Sequence, residues 1–291
     1  IFDNQLIPDT WQYNDFGNYY GAGACGLTFH QNLFYCSFRP GNVGAEARFV
    51  GTNPELPEIQ FINEMRTGTS GSGDRGYIYG LPYAKTFYLR GTVPSGRSSF
   101  TIKGALPDPA FFCARAFAKH LNNCGLEVSG EPTTVRLMII AGESLAARKI
   151  IHTQESDTLA SIMNLTNMKS NNLRAECMHR MLAAGKESKA STVNASRIMN
   201  QHWSEKGVDM TGSFLGDGCG LSRSNIISTR QMALILYHAA QHEDFDSFYK
   251  TLPVAGRSGT LSSIGGGSTA EGRVAAKSGT IARVRNYAGY V

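Results

Sequence analysis

Arg273-Val274-Ala275-Ala276-Lys277-Ser278-Gly279-Thr280 reads as a strand that delivers a lysine, a hydroxyl, a glycine and a second hydroxyl at successive positions. A glycine inside a strand leaves the backbone open to close approach by a ligand. The lysine and the hydroxyls supply cationic and neutral donors of the kind a carboxylate accepts. The same letters also describe a strand that runs into a turn, and the segment alone supports both readings equally. Tyr287-Ala288-Gly289-Tyr290-Val291 predicts a second strand downstream. An apolar strand left at a sheet edge invites pairing, so further strands are expected beside it.

Upstream of this pair, helical patterns fall near residues 157 to 168, 172 to 184, 193 to 205 and 229 to 242, from apolar residues recurring at helical spacing. Ser170-Asn171-Asn172 lies where the first pattern gives way to the second, a junction where side chains project into a cleft. Ser-x-Asn is a weak pattern, and its plainer account is an N-cap for the next helix. The first half of the chain reads instead as strands near 24 to 29, 33 to 38, 46 to 50, 86 to 90 and 98 to 102, divided by glycine and proline. A helix opens at Asp108-Pro109 and ends by Gly125, and a strand is expected from Val135 to Ile140. The shift near residue 152 divides the chain into a β-rich segment, 1–152, read as two sub-domains, and a helix-then-strand segment, 153–291.

Bulk properties exclude several function classes. The 291 residues are 42% apolar and 18% charged, as expected of a folded globular chain, and the net charge of +5 is spread without a basic block, so no nucleic-acid partner is expected. No apolar run reaches the roughly 18 residues of a membrane span, and no signal-peptide pattern precedes the first residue, which is not Met. Six cysteines (Cys25, Cys36, Cys113, Cys124, Cys177, Cys219) show no Cys-x-x-Cys pair and no zinc-type spacing, so neither metal nor cofactor is expected and buried free thiols are favoured over disulfides. Gly21-Ala22-Gly23-Ala24-Cys25-Gly26 matches a dinucleotide fingerprint by letter, but strand-like Leu27-Thr28-Phe29 follows where a helix is required, so these glycines read as a turn. Gly68-Thr69-Ser70-Gly71-Ser72-Gly73 lacks the Gly-Lys-Ser/Thr ending of a phosphate loop and reads as a flexible connection. His238 and His242 stand four apart without the Glu of a zinc protease, so they, His152 and His179 read as helix-face residues.

Taken together, Ser170-Asn171-Asn172, Lys277-Ser278-Gly279, and the intervening Asp217-Gly218-Cys219-Gly220-Leu221-Ser222-Arg223-Ser224-Asn225 and Leu252-Pro253-Val254-Ala255-Gly256 resemble the low-molecular-mass class C penicillin-binding proteins. These are D-alanyl-D-alanine carboxypeptidase/endopeptidases of the penicillin-binding protein 4 type. The likeness runs back through residues 107–114 and 11–20, and so covers nearly the whole chain. It implies an α/β fold, a DD-peptidase/β-lactamase-like transpeptidase domain with a β-rich accessory insertion whose Asp15 segment lies near the active site. It also implies peptidoglycan peptides as substrates, β-lactams as covalent inhibitors, a periplasmic or envelope location, and allows a homo-oligomer.

By the same resemblance, a serine in Ser-x-x-Lys attacks the peptide bond between two D-alanines and leaves an acyl-enzyme for water to hydrolyse. Ser170 then relays a proton to the leaving amine, Asn172 holds the donor amide, and Lys277 supplies positive potential beside the substrate carboxylate. Ser278 and Thr280 bind that carboxylate, Gly279 leaves room for it, and the Thr280 N–H is one of two oxyanion donors. Asp15 and Arg223 read a diaminopimelate side chain. The chain departs from the pattern in one respect. Its one literal Ser-x-x-Lys, Ser247-Phe248-Tyr249-Lys250, follows Ser170 instead of preceding it, and Phe245, Phe248 and Tyr249 read as the packing face of a short helix. The nucleophile and its lysine are therefore expected upstream of Ile1, and the rest of the sheet and a terminal helix downstream of Val291. The rival expectations are a peptidoglycan-binding homologue without a nucleophile and a serine β-lactamase-like hydrolase.

Overall fold

A computed structural model describes every residue except 1, 3, 4, 146, 148 and 151. The chain forms two compact units, one comprising Asp3–Ile7 and Trp11–Lys149, the other Ile1–Phe2, Pro8–Thr10 and Ile150–Val291.

The first unit is built on six strands, β1 (Leu33–Arg39), β2 (Arg48–Asn53), β3 (Gln60–Gly68), β4 (Arg75–Tyr79), β5 (Thr86–Pro94) and β6 (Phe100–Ala105). They form two three-stranded sheets, β2-β1-β6 and β3-β5-β4. Pairing is antiparallel apart from β3 with β5, which run parallel. Along β1 alternate side chains turn inward, so Phe34, Cys36 and Phe38 meet Met65, Ile78, Phe87, Leu89 and Val93 of the other sheet in one core. The Phe34 ring lies 5.7 Å from Phe61 and 6.1 Å from Phe87.

Two helices follow, α1 (Pro109–Asn123) and α2 (Val135–Ile140). Asp108 caps α1 by accepting from the Phe111 N–H at 3.0 Å, Pro109 occupies the first turn, and Phe112 reaches the core. The strand expected from Val135 to Ile140 is α2 instead, because Thr134 Oγ1 accepts from the Leu137 N–H at 3.2 Å and starts a helix despite the branched side chains. The strand expected at 24 to 29 does not form either. The Asn32 amide there reaches back to the Gly23 carbonyl at 2.9 Å, and the intervening backbone enters no ladder. Strands β3 and β4 went unread because Asn63, Glu64, Arg66 and Gly76 break the apolar alternation.

The second unit holds α3 (Leu159–Lys169), α4 (Asn172–Met181), α5 (Thr192–Glu205), α6 (Thr229–Ala240), α7 (Phe245–Tyr249) and the antiparallel hairpin β7 (Ala275–Ile281) and β8 (Val284–Tyr290). Phe245, Phe248 and Tyr249 of α7 surround the Tyr290 ring, with centroids 5.0, 6.4 and 5.9 Å away. All six cysteines are free; Cys36 is buried, whereas Cys124 is exposed, contrary to the expectation of buried thiols. His179 likewise departs from the helix-surface reading, being buried with its Nε2 3.3 Å from Ser196 Oγ. Among the described residues no helix is long and apolar enough to cross a membrane.

Replacing Phe34, which has no exposed surface, with alanine leaves a cavity between the two sheets and is expected to cost about 3–5 kcal/mol of stability. Urea unfolding followed by circular dichroism measures this; a cost below about 1 kcal/mol would mean that the sheets close over the gap.

Candidate active site

Helix α3 ends at Ser170, whose backbone is left-handed at φ 52°, ψ 53°. A serine in this region costs roughly 1–2 kcal/mol, and the neighbouring bonds hold it there. The Asn171 N–H returns to the Thr166 carbonyl at 3.0 Å, and Asn171 Oδ1 accepts from the Arg174 N–H at 2.9 Å to begin α4. Asn171 therefore performs the capping that Ser-x-Asn suggested for Ser170. The Ser170 hydroxyl instead accepts from Lys277 Nζ at 2.8 Å, across 107 residues of sequence. Asn172, half-buried, opens α4 two residues on.

Lys277 sits in β7 opposite Ala288, with Ser278 opposite Tyr287, Gly279 opposite Asn286 and Thr280 opposite Arg285. The Ala276 N–H donates to the Pro253 carbonyl and the Val274 carbonyl accepts from the Ala255 N–H, both at 2.9 Å, on the edge away from β8. Peptide groups alternate between the two edges of an antiparallel strand, so those of Ser278 and Thr280 face this same outer edge. Lys277 Nζ also donates to the Ser278 carbonyl. Beyond Ala276 no strand covers that edge among the described residues. The Thr280 N–H is thus a backbone donor aimed at open space, next to a cation.

The two glycines of the hairpin differ in what they do. A Cβ on Gly289 would lie 2.1 Å from the Ala275 carbonyl oxygen, whereas one on Gly279 would meet no atom within 4 Å. Packing requires the first glycine; the second leaves a stretch of strand bare. Ser278 Oγ donates to Thr260 Oγ1 at 2.8 Å. Burial draws the Lys277 ammonium below its ordinary pKa. Gly279 and Thr280 line a cleft of about 720 Å³ with Arg223, Ser222, Met199 and Trp203.

Arg223 stands exposed on a loop built around two buried carboxyls. Asp217 accepts from the Gly220 N–H at 2.8 Å, the Ser222 N–H at 2.5 Å and Asn225 Nδ2 at 2.7 Å. Glu176 Oε1 accepts from the Gly218 and Cys219 N–H groups at 2.6 and 2.8 Å, while Oε2 has no hydrogen-bond partner. Ligand atoms of Glu176, Asp217 and Cys219 lie within 4.8 Å of one another, but the Asp217 oxygens and Glu176 Oε1 are already taken by these donors, so the cluster reads as loop scaffold. Asp15 lies in the β-rich unit, 5% exposed, with its carboxylate accepting from the Gln12 N–H at 3.2 Å. Burial, and then the Asp15 charge, push the Tyr20 hydroxyl up to about 12. Thr260 and Glu176 escaped the sequence reading. The one pointer was Glu176 recurring at helical spacing with Leu173, His179 and Arg180 on what proves to be a buried face.

The crystal structure of penicillin binding protein 4 (dacB) from Haemophilus influenzae matches with a TM-score of 0.79 at 21% identity, over 99% of this chain and 63% of that one. The same protein complexed with a β-lactam matches at 0.74 and 22% identity, over 94% of this chain and 62% of that one. The fold is therefore of the α/β DD-peptidase class. A sequence profile of the D-Ala-D-Ala carboxypeptidase 3 (S13) family matches residues 1–291, and the chain belongs to that family. Relatives include a D-alanyl-D-alanine carboxypeptidase of Actinomadura sp. (strain R39), 28% identical over all of this chain and 55% of its own length. Another is the D-alanyl-D-alanine carboxypeptidase DacB of H. influenzae, 21% identical over 97% of this chain and 58% of its own length. The chain spans about half the length of the curated relatives it matches.

Burial, and then the nearby Asp217 charge, push the Glu176 carboxyl from its ordinary 4.5 up to about 7. Between those values the folded chain binds a proton that the unfolded chain has released, so this group's contribution falls as pH rises through the window. His179 runs the other way. Burial lowers it from 6.5 to about 4, so its contribution is lost as pH falls through that range. Between pH 5 and 8 Glu176 contributes a decline of about 2–3 kcal/mol and His179 a rise of about 2 kcal/mol, so denaturant unfolding is expected to show little net change. Glu176→Gln, which keeps an oxygen for the Gly218 and Cys219 N–H groups, removes the first contribution and should leave stability rising with pH by about 2 kcal/mol. An unchanged slope in the variant would assign the titration to another group.

Proposed function

We propose that the full-length protein is a serine-type D-Ala-D-Ala carboxypeptidase that acts on peptidoglycan stem peptides, and as an endopeptidase on their cross-links, through an acyl-enzyme that β-lactams also form. The observation that carries this reading is the 2.8 Å contact between Lys277 Nζ and Ser170 Oγ, placed beside the bare edge of Gly279 and Thr280. Serine nucleophile and lysine base have no match at the expected place in the 291 residues, and in this reading they come from the full-length protein outside them. The nucleophile attacks the carbonyl carbon of the penultimate D-alanine. The developing oxyanion takes hydrogen bonds from the Thr280 N–H and the nucleophile's own N–H. Ser170, held by Lys277, hands its proton to the departing amine of the terminal D-alanine and recovers one from the attacking side. Water then hydrolyses the ester.

In the same reading the terminal carboxylate binds the Ser278 and Thr280 hydroxyls in the field of Lys277, and Asn172 holds the donor amide. Arg223, on the cleft wall, reads the charged side chain of the stem residue. The β-rich unit is an accessory insertion in the penicillin-binding domain, and the enzyme works in the periplasm or cell envelope.

Lys277→Ala in the full-length protein is expected to lower kcat/KM for D-alanine release from an N-acyl-D-Ala-D-Ala peptide by about 100- to 1,000-fold. Retention of wild-type activity would remove Lys277 from the site. A fluorescent penicillin should label the full-length protein and leave the isolated 291-residue chain unlabelled. Covalent label on the isolated chain at Ser247 would make that serine the nucleophile, and rapid turnover of the penicillin by the full-length protein would favour a β-lactamase.

A further inference from the structure

Ser278 is held from outside its own strand. The acceptor of its hydroxyl proton, Thr260, lies in a 3₁₀ turn, Gly259–Leu261, 18 residues upstream. Three contacts fix that turn. Leu261 is 2% exposed, its carbonyl accepts from the Gly256 N–H at 3.0 Å, and Ser258 Oγ accepts from the Val254 N–H at 3.0 Å. The turn also packs on the end of α3, since a Cβ on Gly259 would lie 2.9 Å from Met168 Sδ and 3.0 Å from Pro253. Met168 is two residues before Ser170. One rigid turn therefore touches both the helix end that presents Ser170 and the strand that presents Ser278.

We propose that Thr260 is a positioning residue for the carboxylate clamp, holding Ser278 Oγ in the rotamer that a free C-terminal carboxylate meets. This rests on the assignment of Ser278 to carboxylate binding made above. A serine side chain has three staggered wells, and one that must be ordered at the moment of binding weakens the complex. With Thr260 in place that ordering is done beforehand. When a carboxylate takes the Ser278 proton, the Thr260 hydroxyl is free to rotate and donate into Ser278 Oγ, because each hydroxyl serves as donor and acceptor. The bond between the two side chains thus survives with its direction reversed. A neutral C-terminal amide gains less from this arrangement, because hydrogen bonds to a charged acceptor are the stronger ones.

The test compares Thr260→Val, which keeps the shape and removes the hydroxyl, with Thr260→Ser, which keeps the hydroxyl. Both are made in the full-length protein and assayed with an N-acyl-D-Ala-D-Ala peptide and its C-terminal amide. Thr260→Val is expected to raise KM for the free acid by about 3- to 10-fold, with kcat within about twofold and the amide little affected. Thr260→Ser is expected to restore the wild-type KM. Unaltered preference for acid over amide in Thr260→Val would overturn the role of Thr260. Equal losses of kcat and Tm in both variants would also overturn it, marking the turn as merely structural. Absence of any acid-over-amide preference in the unmodified protein would instead overturn the clamp assignment on which it stands.

Discussion

The hydrogen bond from Lys277 Nζ to Ser170 Oγ makes a demand on the rest of its unit that few other contacts make. It needs a helix end and a strand, 107 residues apart in sequence, to be held within a fraction of an ångström. A flexible lysine arm cannot supply that precision, since its many rotamers make a lone exposed contact weak. The surrounding bonds supply it. Asn167 Nδ2 donates to Thr251 Oγ1 at 2.8 Å, tying α3 to the segment after α7. The Pro253 carbonyl then receives the Ala276 N–H at 2.9 Å, tying that same segment to β7. Residues 251–261 form a brace between helix and strand, with Leu252, Ala255 and Leu261 buried beneath it. Apolar burial anchors the brace, and the polar bonds set its register.

The loop that carries Arg223 is held by a different device. Its backbone wraps two buried carboxyls, and an isolated buried charge is costly unless paired or neutralised. Asp217 meets this cost with donors that include the Gly220 and Ser222 N–H groups, Asn225 Nδ2 and the Cys219 thiol. Glu176 has two, both on one oxygen, and burial raises its carboxyl far enough to hold a proton into the neutral range. A protonated Oε2 removes a second charge from beside Asp217. Held in this way, the loop lines the cleft together with Met199 and Trp203 of α5.

Elements with strong local signals were legible in the sequence. Helices α1 and α3 to α6 declared themselves through apolar spacing, α1 also through its Asp108 cap, and β1 through a run of apolar and aromatic residues bounded by turns. What was lost depended on distant partners. Strands β3 and β4 carry polar residues that only pairing with β5 makes sense of. Helix α2 was misread because Val135, Ile139 and Ile140 favour strands locally, while one threonine cap decides the outcome. The motif residues Ser170, Lys277 and Ser278 could be read in chain order, since motif types are local. Thr260 and Glu176 could not, because they matter through contacts with residues 18 positions away for the first and 42 and 43 for the second, and no pattern in the sequence encodes such contacts.

The outer edge of β7 shows how the same physics separates a structural strand from a binding one. Proteins cover or charge exposed strand edges because bare N–H and C=O groups recruit other chains. On β7 the covering stops at Ala276, where Pro253 and Ala255 satisfy the edge. Beyond it a lysine, two hydroxyls and a glycine with nothing within 4 Å of its missing Cβ take over. Lys277 satisfies the Ser278 carbonyl, the acceptor that precedes the Thr280 N–H along that edge. An edge whose nearest acceptor is capped by a cation favours an anionic ligand beside the Thr280 donor over another strand, because a strand must offer and find both kinds of group.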